Sequence, residues 1–269
     1  MHPEILRWGV LNITSYGLML AVAFLVGTWL ALRESRRLGL DEDRVVTVIL
    51  VALVAAILGA LALYVAEHLR DFRGSYLSVR ALWQGGLTLY GGIVAGTVGG
   101  LFAARRTGLP MWVTADALAP SLALGTVFGR VGCFLNGCCY GHPTRLPWGV
   151  VFPADSFAGL EFGPVPVHPS QLYFAAAGLA LFLLVWAVRR RAWVPGVLFW
   201  SLLALLALAR IPLDLTRVYE AEAIVVDLGA VRLTESQVTS AALILFALLM
   251  IARLRREARP AAAPGAPRP

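Results

Sequence analysis

The sequence predicts an all-α polytopic membrane protein with seven transmembrane helices and a small head built from its outer loops. Three observations carry that reading. Hydrophobic residues make up 59% of 269 positions, charged residues make up only 14%, and the mean hydropathy is +0.75. A soluble domain carries about 25% charged residues. Disorder, collagen and coiled coil are excluded by the same composition.

Seven apolar stretches reach the roughly 20 residues that a spanning helix needs. They cover about 10–32, 45–66, 86–104, 112–132, 171–188, 194–213 and 236–252. Their runs are continuous, whereas barrel strands are short and alternate. Helices satisfy their own backbone where no water is available. The first run lacks a small-residue cleavage site and is expected to be a retained span. The reading places residues 1–258 in one membrane domain and leaves 259–269, rich in Pro and Ala, as a disordered tail.

Orientation follows from arginine, which supplies all 23 basic residues behind the net charge of +7. Arg33, Arg36, Arg37 and Arg44 follow span 1, Arg105 and Arg106 follow span 3, and Arg189, Arg190 and Arg191 follow span 5. The tail adds more. By the positive-inside rule the N-terminus is outside and the C-terminus is cytoplasmic. The outer segments are then 67–85, 133–170 and 214–235, and all three are long. Residues Ala223 to Arg232 alternate enough to suggest a hairpin. Elaborated outer loops point to work done on the outer face. The basic charge is explained by topology, no stacking platform is present, and no nucleic-acid partner is expected. No internal repeat of the transporter kind is evident.

Ionisable residues within spans are expensive and therefore informative. Arg130 ends span 4, and Arg210 with Asp214 ends span 6. Tyr16 and Tyr90 stand in the first turns of spans 1 and 3, and His168-Pro-Ser-Gln171 opens span 5. This topology puts all of them at one depth, just below the outer boundary, where a lipid phosphate sits. Arg130 and Arg210 suit phosphate because guanidinium stays charged and presents a planar fork. The alternatives are a snorkelling arginine or, for Arg210, a pair with Asp214 one turn away. The tyrosines equally fit an aromatic belt. Glycines around Tyr90 admit either close helix packing or a lipid headgroup.

The stretch Gly129-Arg130-Val-Gly132-Cys133-Phe-Leu-Asn136-Gly137-Cys138-Cys139-Tyr140-Gly141 gathers arginine, amide and thiols in one loop. Asn136 can orient a phosphate ester or carbonyl. All three cysteines lie here, unlike a spread disulfide framework. Cys133, Cys138 and Cys139 are candidate functional thiols, with packing, redox chemistry and metal binding alongside His142 or His168 as the open readings. C-x4-C-C does not match usual zinc spacings, so no metal and no cofactor are expected.

Six motifs now stand in order: Tyr16-Gly-Leu-Met; Gly85-Gly-Leu with Tyr90-Gly-Gly; the Gly129–Gly141 stretch; His168-Pro-Ser-Gln171-Leu-Tyr173; Arg210-x-x-x-Asp214; and Leu233-Thr-Glu-Ser-Gln237. Along nearly its whole length the chain resembles the bacterial prolipoprotein diacylglyceryl transferase family. It departs from the family's usual His at Tyr90, Asn at Cys133, Glu at Cys138, Glu at Asp214 and an acid at Phe174. The resemblance implies an inner-membrane enzyme with a small periplasmic head. It implies transfer of the diacylglyceryl group of phosphatidylglycerol to the lipobox cysteine of a prolipoprotein signal peptide. It implies catalytic roles for Tyr90, Arg210 and Asp214, and substrate binding by Tyr16, Arg130, Asn136, Gly141, His168 and Gln171. Two rivals stand beside it: a divergent member acting on another acceptor or lipid, and a non-enzymatic lipid-binding or transport protein.

Overall fold

A computed structural model describes residues 4–8, 11–68, 88–191, 194–219, 224–227 and 232–258. Most of the outer segment 67–85, the Gly85-Gly-Leu motif and the tail 259–269 lie outside the described residues. The chain divides into two compact units. The first comprises 1–30 and 118–269, and the second comprises 31–117.

The chain opens with a hairpin of β1 (Glu4–Trp8) and β2 (Leu11–Thr14). Helices α1 (Ser15–Arg37), α2 (Glu42–Glu67), α3 (Leu89–Thr107) and α4 (Met111–Asn136) follow. Then come the short α5 (Phe157–Phe162), α6 (Ser170–Val188) and α7 (Val197–Asp214). Strands β3 (Ile224–Asp227) and β4 (Arg232–Thr234) pair antiparallel, and α8 (Glu235–Glu257) is the last helix.

Among the described residues, six helices are long and apolar enough to cross a membrane: α1, α2, α4, α6, α7 and α8. The protein is a multi-pass, mostly helical membrane protein. Its helices expose Leu25, Trp29, Val54, Leu58, Leu183 and Leu249, the inverse of a water-soluble surface. The seventh expected stretch is also a helix, α3, but glycine dilutes its hydropathy.

Helix ends are set by local chemistry. Thr14 Oγ1 accepts the Gly17 N–H at 3.1 Å, which starts α1 at Ser15 rather than near residue 10. Residues 11–14, expected within the first span, pair as a strand instead. Asp41 caps α2 by accepting the Arg44 N–H at 3.2 Å, and Glu42 and Asp43 complement the helix dipole. Thr234 and Gln237 form a capping box on α8, so two residues of the last sequence motif start that helix. The hairpin expected near Ala223–Arg232 corresponds to β3 and β4.

In the second unit, α2 and α3 pack backbone to backbone. A Cβ at Gly96 would lie 3.0 Å from the Ala56 Cβ, and one at Gly100 would lie 3.4 Å from the Ala52 Cβ. Gly91 and Gly59 face each other more closely still. The glycines beside Tyr90 therefore serve close helix packing, the small-residue mode of membrane helices. Tyr90 is the second residue of α3 and is exposed.

In the first unit, α4, α6 and α7 share a cluster of Ala119, Ala123, Val185, Leu198 and Leu202. Ser121 Oγ donates to the Gly27 carbonyl at 2.7 Å, joining α4 to α1. Residues between α4 and α6 fold on their own cluster of Phe152, Ala158 and Val167, with Phe134, Tyr140 and Val150 packed against it. This segment is stitched by bridges Pro143↔Val167 and Val150↔Val167.

Candidate active site

The site grows from the end of α4. Gly137 takes φ +75°, and its N–H bonds the Phe134 carbonyl while the Cys138 N–H bonds that of Cys133. This is a Schellman ending, which brings the residue after the glycine against the residue one turn inside the helix. Here those residues are Cys138 and Cys133. Cys139 follows with φ 59°, a left-handed conformation that few residues other than glycine adopt. The three Sγ atoms lie within 4.8 Å of one another, and all three cysteines are free. Asn136 is the last residue of α4, two positions before Cys138.

The next turn is held from two sides. The Gly141 N–H bonds the His168 carbonyl, and Gly141 bridges antiparallel to Arg217. A Cβ at Gly141 would collide with Ser170 Oγ and the Thr216 carbonyl, so only glycine fits. Gln171 is fully buried and donates to the Cys138 carbonyl at 2.7 Å, while its Oε1 has no partner among the described residues. His168 Nδ1 lies 3.2 Å from the Tyr173 hydroxyl, which also accepts from Trp148 Nε1 at 2.7 Å. His168 and Gln171 thus hold the loop through a backbone carbonyl and a side-chain amide.

Arg130 lies nearly two turns inside the end of α4, with its guanidinium 4.3 Å from the centre of the Phe174 ring. Among the described residues no carboxylate pairs with it. It interacts electrostatically with Cys139, Cys133, Arg210 and Arg217. Tyr16 interacts with the same thiols and with Arg130, and its ring packs on Gly132, where an added Cβ would meet it at 3.1 Å.

Arg210 and Asp214 close α7. The Asp214 side chain is wholly buried, with Arg210 Nε 3.5 Å from its Oδ2. Ser236 donates to the same oxygen at 2.5 Å, and the Tyr219 hydroxyl donates to Oδ1 at 2.6 Å. Arg210 Nε also donates to Ser236 Oγ. Arg217 NH1 donates to the Tyr219 hydroxyl at 3.3 Å, and its NH2 donates to Cys139 Sγ at 3.3 Å. A continuous polar path therefore links Arg210 to Cys139.

That path sets local charge. Hydrogen bonds from Cys133 and Cys138 hold the Cys139 thiol below its ordinary range; burial opposes them, and Arg217 and Arg130 reinforce them. Burial pulls Arg217 down, but Cys139, Tyr219 and Asp214 outweigh it and the guanidinium stays firmly charged. A pocket of about 390 Å³ opens on Cys138, Cys139, Tyr140, Glu161, Arg217 and Tyr219.

The first unit thus gathers Tyr16, Arg130, the thiols, Asn136, Gly141, Gln171, Arg210 and Asp214. Tyr90 belongs to the second unit. Sequence reasoning did not single out Arg217, Tyr219 or Ser236. Arg217 and Tyr219 carried one signal, their closeness to Asp214 in the sequence; Ser236 sat inside a quoted motif without a role.

The sequence model of the family described as prolipoprotein diacylglyceryl transferase matches residues 3–253. The chain belongs to the prolipoprotein diacylglyceryl transferase family. Among its curated relatives is the phosphatidylglycerol–prolipoprotein diacylglyceryl transferase of Geobacter sulfurreducens, 35% identical over 226 residues, 82% of this chain and 84% of that one. The protein of that name from Solidesulfovibrio magneticus is 34% identical over 263 residues, covering 94% and 96%. That of Clostridium tetani is 32% identical over 191 residues, covering 71% and 75%. Family membership thus spans both units, and the arginines and thiols described above lie within the matched residues.

Proposed function

We propose that the protein transfers the diacylglyceryl group of phosphatidylglycerol to the lipobox cysteine of prolipoproteins at the outer face of the bacterial inner membrane. All seven long helices span in this reading, α3 included, with the N-terminus outside, the C-terminus cytoplasmic and the head periplasmic. The observation that carries it is the pair Arg130 and Arg210. The two guanidiniums repel each other, and among the described residues Arg130 has the Phe174 ring and the thiols near it but no carboxylate. An anion between them relieves both charges.

The reaction forms a C–S bond at the glycerol carbon that bears the phosphate and breaks that carbon's bond to the phosphate oxygen. Glycerol phosphate leaves with the electron pair, and the thiol loses its proton. Arg130 and Arg210 stabilise the charge that develops on the leaving phosphate. Asp214 touches no solvent and serves as the anchor of Arg210. Tyr16, Asn136, Gly141, His168 and Gln171 shape the lipid and acceptor site around them.

Purified protein mixed with phosphatidylglycerol vesicles and a lipobox peptide is expected to give the diacylglyceryl adduct by mass. Phosphatidylethanolamine vesicles should give none. A folded, lipid-binding protein that forms no adduct with several lipobox peptides overturns the reading.

A phenol with an ordinary pKa of about 10 is a weak base, so Tyr90 is assigned to positioning the thiol or lipid by one hydrogen bond. Tyr90→Phe should slow transfer about tenfold, the worth of such a bond. Unchanged initial rates would leave the hydroxyl without that role.

A further inference from the structure

Three thiols have been brought together by means a chance cluster does not need. The Schellman ending sets Cys133 against Cys138, a left-handed backbone turns Cys139 into the same space, and buried Gln171 fixes the Cys138 carbonyl. Arg217 donates to the Cys139 sulfur, and the pocket beside Cys138 and Cys139 provides a way in.

We propose that Cys133, Cys138 and Cys139 form a three-thiolate zinc site whose open fourth position takes up the acceptor thiol; this role for the metal rests on the transferase reading above. Zinc–sulfur bonds of about 2.3 Å place three ligand sulfurs roughly 4 Å apart. The sulfurs here, all within 4.8 Å, need to close by less than about an ångström. Thiolates select soft ions such as zinc and Cu(I). Three thiolates on a divalent ion leave one negative charge, which Arg217 faces directly. Among the described residues no fourth His, Cys, Asp or Glu joins the group. Structural zinc sites close with four protein ligands, whereas reactive ones keep three and leave a position open.

The chemistry meets a need the rest of the site leaves unmet. The acceptor must arrive as a thiolate. A thiol that coordinates zinc is deprotonated outright, and its proton goes to solvent. The bound sulfur then attacks the glycerol carbon, the C–S bond forms as the C–O bond to phosphate breaks, and the electron pair departs on phosphate beside Arg130 and Arg210. Sulfur leaves the metal as the thioether, a weaker ligand, which frees the position. No oxidant or reductant enters.

The test compares full-length wild type with a Cys133→Ser, Cys138→Ser, Cys139→Ser triple variant in detergent. Elemental analysis should find one zinc per wild-type chain and none in the triple variant. Cobalt(II) substituted into the wild type should show sulfur charge-transfer and tetrahedral bands that shift with a lipobox peptide but not with its serine analogue. Stripping zinc from the wild type with a chelator should slow transfer at least about 100-fold, and zinc should restore it. This arm needs no variant to fold. Wild type without zinc or a cobalt spectrum, or with a disulfide by intact mass, overturns the proposal. Full transfer by metal-free protein overturns it too and leaves the transferase reading standing. Zinc bound with no adduct under any condition sinks the transferase reading instead, and the metal's role with it.

Discussion

Arg130→Ala is expected to slow diacylglyceryl transfer by about a thousandfold, because it removes a preorganised cation from the leaving phosphate. The site offers no substitute of the same geometry. Arg210 is held through Nε by Asp214 and Ser236, and Arg217 is directed at Cys139 and Tyr219. Arg130→Lys should recover part of the loss: it restores the charge but not the planar fork or the stacking on Phe174, 4.3 Å away. Phe174→Leu removes only the cation–π contact, about 1 kcal/mol, and should cost less than tenfold. Initial rates on phosphatidylglycerol vesicles give the order Ala, Lys, Leu from slowest to fastest. Thermal unfolding of each variant separates loss of the phosphate contact from loss of fold. A rate for Arg130→Ala within tenfold of wild type would remove Arg130 from the reaction.

Much of this arrangement is written in the sequence. Uninterrupted apolar runs give each long helix to within a few residues, since a membrane leaves a continuous run little other structure to adopt. The first run misled at its start. Leu11-Asn-Ile-Thr14 is apolar enough to extend a span, but it alternates, pairs with Glu4–Trp8 and ends in a capping threonine. The glycines of α3 were ambiguous because packing and lipid contact both favour small residues, and only the Ala52 and Ala56 contacts decide it. The fourth apolar run ends near 132, but the helix continues to Asn136, so the first four residues expected in the outer segment are helical and the chain turns at Gly137. That this turn juxtaposes Cys133 with Cys138 follows from its hydrogen bonds, not from C-x4-C-C spacing.

The network around Asp214 was the least legible. Arg217 reaches Cys139 because its backbone bridges Gly141, a pairing 76 positions apart that no local pattern announces. Ser236 reaches Asp214 because the α8 capping box fixes where that helix begins. Each is a consequence of tertiary placement. Together they convert two arginines and a thiol, scattered in sequence, into one connected charge system.

Asp214→Ala should therefore harm both stability and transfer. The carboxylate is fully buried, and its removal leaves Ser236, the Tyr219 hydroxyl and Arg210 Nε facing a gap. Breaking a buried pair costs about 3–5 kcal/mol. Arg210 keeps some contact with solvent, which lowers the expected loss to about 2–3 kcal/mol. The freed guanidinium loses its aim, and the transfer rate should fall about 100-fold. Asp214→Glu restores the acid that the family resemblance places here and should stay within tenfold of wild type. Asp214→Asn separates charge from shape: it can keep both hydroxyl contacts and the fold while releasing Arg210. If Asp214 only supports the fold, Asn should transfer normally. If it aims Arg210, Asn should unfold near the wild-type temperature yet turn over at least tenfold more slowly, with kcat falling more than the KM for phosphatidylglycerol rises.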